Sequence, residues 1–232
     1  MKLLAFDTST NWLSVACGGG GDAWRVRAEP AGQAHSERLL PLIDAVLSES
    51  GWALRDLDAI AFGAGPGSFT GVRIACGVAQ GLAFAASLPL VAVPTLEALA
   101  EQAWRTHGVT RVLACLDARM REIYAAAYVR SDGRWRTQSE PAVLVPGRVT
   151  LPVDGADWFG AGDGFAAYPA LATTIGLPAW DATVVPDARA IAALALPRIA
   201  AGEAVDAAHA LPYYVRHRVA LTTAERDAGL RL

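Results

Sequence analysis

The sequence of 232 residues predicts an α/β protein of two related lobes facing a cleft. Two observations carry that reading. An apolar strand ending in Asp7, a polar turn and a return strand recur 110 residues later around Asp117, and a repeated strand–Asp–turn–strand unit is the mark of internal duplication. Between the two units lie an amphipathic helix and a glycine-rich turn that feeds a second helix, the alternation expected of an α/β lobe.

In order along the chain, Leu3-Leu4-Ala5-Phe6-Asp7 reads as a buried strand, Thr8-Ser9-Thr10-Asn11 as a polar turn, and residues 13–17 as the returning strand. Gly18 to Gly21 make a flexible turn before Trp24-Arg25-Val26-Arg27, whose alternation suits a half-exposed third strand of an antiparallel meander. From 36 to 50, Leu39, Leu40, Ile43, Val46 and Leu47 recur at helical spacing, with Gly51 as the stop. Residues 57–62 form a strand closed by Gly63-Ala64-Gly65-Pro66-Gly67, a helix runs from Phe69 or Thr70 to about residue 87, and 89–93 are again a strand. Thr95 is the expected N-cap of a helix over 96–106, where the first lobe (1–106) ends.

The second, reduced lobe (107–232) opens with a strand over 111–117, a polar turn over 118–122 and a return strand over 123–129. Ser131-Asp132-Gly133 is a hairpin turn, and 141–152 is broken by prolines. Residues 186–202 hold an alanine-rich helix that Asp187 would cap. The tail Leu211-Pro212-Tyr213-Tyr214-Val215-Arg216 is too aromatic for a loose end and is expected to pack back on the body.

Hydrophobic residues make up 53% of the chain and charged ones 19%, ample for a packed core. With 20 basic against 23 acidic residues the formal charge is −3, so no overall field draws the chain to nucleic acid or anionic lipid, and any nucleic-acid contact must be local or shared with a partner. Lys2 is the only lysine, which excludes a Schiff-base or phosphate-loop lysine in the folded body. Cys17, Cys76 and Cys115 have neither disulfide-framework nor zinc-site spacing. Without a signal-peptide core, and with no run near ~20 apolar residues, the expected location is the cytoplasm.

The densest local signal is Gly65-Pro66-Gly67-Ser68-Phe69-Thr70-Gly71-Val72-Arg73. Two readings stand side by side. A glycine turn at a helix start presents N–H groups to an anion, and it equally lets strand and helix pack tightly. The following helix is rich in small residues, including Gly71, Ala75, Gly77, Ala79 and Gly81, which fits close packing either within the chain or against a second protein.

The glycine-rich run with Ile74, the Asp7-Thr8-Ser9-Thr10 opening, the helix over 35–47, Asp117-Ala118-Arg119 with Glu122 and Tyr124, and the Pro212-Tyr213-Tyr214-Val215-Arg216 tail together resemble the bacterial TsaB (YeaZ) family over essentially the whole chain. The resemblance implies a two-lobed actin-like ATPase or sugar-kinase fold, ribonuclease H-like in each lobe. It implies a non-catalytic partner of TsaD, which transfers threonylcarbamoyl to N6 of adenosine 37 in tRNAs reading codons that start with A, with the ATPase TsaE completing the complex. The catalytic paralogue's metal-binding His-x-x-x-His corresponds here to Thr95-Leu96-Glu97-Ala98-Leu99, and leucine cannot ligate a metal. Neither a metal, a cofactor nor peptidase activity is therefore expected.

The expected partner interface is Leu39, Ile43, Val46 and Leu47 on the first helix with Gly71, Val72, Ala75, Val78, Ala79 and Leu82 on the second. The same surface would form a homodimer when the partner is absent. Asp7 and Asp117 either mark a vestigial nucleotide cleft or close their turns by hydrogen bonds to nearby N–H groups. Arg119 and Arg121 are the candidate tRNA contacts. The alternative function is a stand-alone small ATPase or kinase of the actin-like superfamily.

Overall fold

The structure, a computed structural model, describes residues 1–19, 22–152 and 157–216. Every residue of β1 (Leu3–Asp7) is buried, because helices cover both faces of its sheet. Leu4 and Phe6 point to one side and join the core beneath α1 (His35–Ser50) and α2 (Phe69–Ala86); Leu3 and Ala5 point to the other and join the core beneath α6 (Ala188–Ala200). β1 pairs antiparallel with β2 (Trp12–Gly19), which pairs antiparallel with β3 (Asp22–Pro30); on its other edge β1 runs parallel to β4 (Ala59–Gly65), and β4 to β5 (Leu90–Pro94). At the foot of β1 the Lys2 N–H donates to Asp58 Oδ2 at 2.6 Å, and the ammonium lies 4.9 Å over the Trp52 ring.

The second sheet repeats this order. β6 (Arg111–Asp117), β7 (Ile123–Ser131), β8 (Arg134–Leu144), β9 (Phe159–Ala161) and β10 (Ala179–Asp181) stand as β8-β7-β6-β9-β10, matching β3-β2-β1-β4-β5 strand for strand. The connections are reduced. Where the first lobe has α1, the second has a 3₁₀ turn, Pro146–Arg148, and where it has α2, the second has the four-residue helices α4 (Gly164–Ala167) and α5 (Leu171–Thr174).

Helix α3 (Thr95–His107) lies between the sheets. Its Ala98 belongs to the first lobe's core, while Leu96, Leu99, Ala100 and Ala103 pack with Val112, Ala114 and Tyr128 of the second. Helix α6 follows β10 in sequence, yet its Ile191, Leu194 and Ala195 pack on the first sheet. Asp187 caps it, accepting from the Arg189 N–H at 2.7 Å.

Three elements differ from the sequence reading. β8 runs through Pro141 as an edge strand, with register shifts in its pairing to β7, rather than stopping there. β4 begins two residues later than expected and continues through Gly65. Pro94 occupies the N-cap position of α3, and the Thr95 hydroxyl instead accepts from the Gly65 N–H at 3.1 Å. Among the described residues one helix, Phe69–Ala86, is long and apolar enough by length and composition to cross a membrane; its buried residues pack on the first sheet.

Candidate functional site

The duplicated turns meet across a cavity of about 550 Å³, walled by Ser9–Asn11 and Pro66–Thr70 from the first lobe, by Leu116–Met120, Tyr124 and Asp163 from the second, and by the tail residues 213–216. Glycines at the ends of β4 and β9, Gly65 (φ 106) and Gly162 (φ 109), both adopt a conformation that side chains disfavour, which turns the chain sharply off each strand.

Each lead carboxylate closes its turn in the same way. Asp7 Oδ1 accepts from the Ser9 N–H at 2.9 Å, and Asp117 Oδ1 from the Arg119 N–H at 2.9 Å. Their surroundings differ. Asp7 is 1% exposed, its Oδ2 lies against the backbone of Gly63 and finds no hydrogen-bond partner among the described residues, and it is absent from the cleft wall. Burial pushes its carboxyl up to about 6, against the lowering effect of the Ser9 hydrogen bonds. Asp117 does reach the cleft, where it pairs with Arg119 at 3.1 Å. Of the two readings of these carboxylates, the turn-closing hydrogen bonds are present at both, while β4 covers Asp7 and only Asp117 lines the cleft. Behind Asp117, Asp163 accepts the Asp117 N–H at 2.9 Å, and burial raises its carboxyl.

Two N–H donors of the glycine-rich turn are spent internally. Ser68 N–H donates to Ser9 O at 2.7 Å, and Ser68 Oγ accepts from the Gly71 N–H at 3.3 Å. A Cβ at Gly67 would stand 2.3 Å from Ser9 O and one at Gly71 1.9 Å from Thr8 O. Of the two readings of this motif, the geometry favours tight packing of α2 onto the Thr8–Ser9 turn over an anion cradle. Arg73 leaves the helix to stack 3.4 Å over Phe69 and to donate to the Tyr214 hydroxyl at 2.8 Å.

The residues expected at a partner interface are mostly turned inward. Leu39, Val46, Ala75 and Ala79 are fully buried, Val72, Ile43, Leu47 and Gly71 nearly so, and Val78 and Leu82 pack half-buried on the same core. The apolar face left open on these helices is a different one. Leu40 is half exposed, Phe84 is 82% exposed, and Gly77 and Gly81 have nothing within 4 Å of where a Cβ would stand. Sequence periodicity missed it because an amphipathic stripe marks the side facing the helix's own core.

The arginines between 119 and 136 do not converge. Arg130 lies 3.7 Å over Trp104, its Nε 3.8 Å from the buried Glu101, and Arg136 pairs with Asp132. Arg119 lines the cleft and is exposed, and Arg121 is exposed two residues further on. At the ends of the stretch that corresponds to the paralogue's His-x-x-x-His, Thr95 and Leu99 are both fully buried. Among the described residues no three His, Cys, Asp or Glu side chains gather as a metal set. His217 and Arg218, which follow the tail, lie outside the described residues.

Two matched sheets, a shared cleft and a reduced second lobe define the class, and a family model described as TsaD, tRNA N6-adenosine threonylcarbamoyltransferase, matches residues 26–220. Within that class the relatives are specific. The Escherichia coli (strain K12) "tRNA threonylcarbamoyladenosine biosynthesis protein TsaB" is 42% identical over 95% of this chain and 96% of its own length, and the Haemophilus influenzae protein of the same name is 42% identical over 72% and 74%. The solved structure of YeaZ from Pseudomonas aeruginosa superposes with a TM-score of 0.86 at 46% identity, covering 92% of this chain and 99% of that one. A second Pseudomonas aeruginosa structure, described as an uncharacterized protein with similarity to peptidase YeaZ, gives 0.87 at 46% identity, over 93% and 99%. The chain belongs to the TsaB (YeaZ) family.

Proposed function

We propose that this chain is the non-catalytic activating subunit of a tRNA N6-adenosine(37) threonylcarbamoyltransferase complex, pairing with the catalytic subunit TsaD and completed by TsaE. The observation that carries the proposal is the unpartnered outer face of α1 and α2. Gly77, Gly81 and Phe84 fall at helical spacing on one stripe of α2, and α1 exposes Leu40. Glycines there let a partner helix come close, and Phe84 and Leu40 offer about 1.5–3 kcal/mol each of gross burial energy before the cost of association. The same stripe would pair with itself in the isolated chain, giving a homodimer that competes with the heterodimer.

The buried state of the cysteines supports a non-catalytic reading. Cys17, Cys76 and Cys115 are all buried, and burial raises each thiol, the opposite of an activated nucleophile. tRNA is reached through the complex, with Arg119 and Arg121 as the surface nearest the cleft that this chain could add.

The test is threonylcarbamoyl transfer to unmodified A37 tRNA in a mixture of TsaD, TsaE and the activated threonylcarbamoyl donor, with this chain present or omitted. Omission is expected to abolish transfer. Undiminished transfer without it would refute the proposal. Phe84→Glu is expected to leave the fold intact and to weaken pairing with TsaD and with itself by at least about tenfold, the loss of one buried aromatic anchor.

A further inference from the structure

We infer that residues 211–216 act as an intramolecular brace: the tail enters the cleft, binds a wall of each lobe and fixes the separation between them. The inference is independent of any partner, because every contact lies within the chain.

On the first lobe, the Tyr213 N–H donates to Ala64 O at 2.7 Å, and the Tyr213 carbonyl lies where a Cβ on Gly65 would come within 2.8 Å. The Tyr214 hydroxyl accepts from Arg73, and its ring sits 6.2 Å from that of Phe69. On the second lobe, Arg216 donates to Ala118 O at 3.0 Å and to the Glu122 carboxylate, stands 3.7 Å from Met120 Sδ and lies over the Tyr124 ring at 5.7 Å. Only 14% of its side chain is exposed.

The turn that receives Arg216 is built at a cost. Arg119, Met120 and Arg121 all take positive φ, at 60°, 53° and 61°, a run that residues with a Cβ rarely adopt. That curl brings the Ala118 carbonyl, the Met120 sulfur and the Glu122 carboxylate around one guanidinium. From Tyr213 to Arg216 the chain advances three residues, at most about 10 Å of reach, so the two anchors leave little slack for the walls to part. A molecule entering the cleft meets this segment as one of its walls.

The test is hydrogen exchange on the isolated chain carrying Arg216→Ala, followed in peptides covering 64–72 on the first wall and 118–124 on the second. The expected result is exchange faster by about tenfold or more in both, the scale of one lost charge-assisted hydrogen bond, with β1 and β6 interiors unchanged. Acceleration confined to 118–124 would make the tail a local patch on the second lobe and overturn the brace, as would no change at all. If circular dichroism shows Arg216→Ala unfolded, Arg216→Lys replaces it: a lysine keeps the charge but loses the planar fork, and both walls should loosen to a smaller extent. Protection equal to the parent's in both walls of that variant would equally overturn it.

Discussion

Asp7 is a carboxylate held where its charge is least welcome. Its folded-state pKa of about 6 lies above the unfolded value near 3.8, so its contribution to stability is full below the unfolded value and is lost as pH rises through about 6. Asp7→Asn keeps an acceptor for the Ser9 N–H and removes the titration. In denaturant melts between pH 4 and 7.5, the parent is expected to lose on the order of 3 kcal/mol relative to this variant. Parallel pH profiles would rule that out. The sequence displayed Asp7 plainly as the end of a strand, but whether it opened on the cleft depended on Gly63, a residue of another strand against which Oδ2 rests. Long-range contact of that kind leaves no local pattern to read.

At the scale of elements, helix α2 separates two kinds of glycine that look alike in the sequence. Gly71 admits the carbonyl of Thr8, and Gly71→Ala is expected to destabilise the chain by about 1–3 kcal/mol through overpacking. Gly81 meets open space, and Gly81→Ala is expected to stabilise the isolated chain by about 0.5–1 kcal/mol while weakening association with a partner helix. Thermal melts and size-exclusion profiles of the two variants check both halves; a stabilised Gly71→Ala would contradict the packing argument. The helices themselves were legible because Leu39, Ile43, Val46 and Leu47 repeat at 3.6-residue spacing and Gly51 stops the first with φ 67. What that spacing reports is the inward face, so the exposure of Leu40 and Phe84 had to come from the structure. The run of β8 past Pro141 escaped the sequence because its polar, proline-bearing pattern is that of an edge strand, whose outer side needs no partner.

Over the whole molecule, duplication was readable because each lobe begins with the same strand–Asp–turn–strand unit, and the two sheets do match strand for strand. The division of the chain was less readable, since a helix's residence depends on which sheet it covers. α3 packs with both cores and α6 returns from the second half to the first sheet, so neither lobe's core closes without helices placed by the other. Unfolding is accordingly expected as one cooperative transition, with fluorescence from the seven tryptophans, spread over both lobes, and far-UV circular dichroism giving the same midpoint. Two separated transitions would show that the lobes fold independently. Truncating Leu99→Ala at the junction should lower that single midpoint by about 2–5 kcal/mol of stability.

The solitary lysine has a practical consequence for attaching the protein to a surface. Lys2 sits at the start of β1, and the cleft gathers around the turn that follows Asp7 at its far end, some 15 Å along the strand. Reagents that acylate side-chain amines therefore have one address on this chain. A biosensor layer coupled through it would present every molecule in a single orientation, with the cleft directed away from the support.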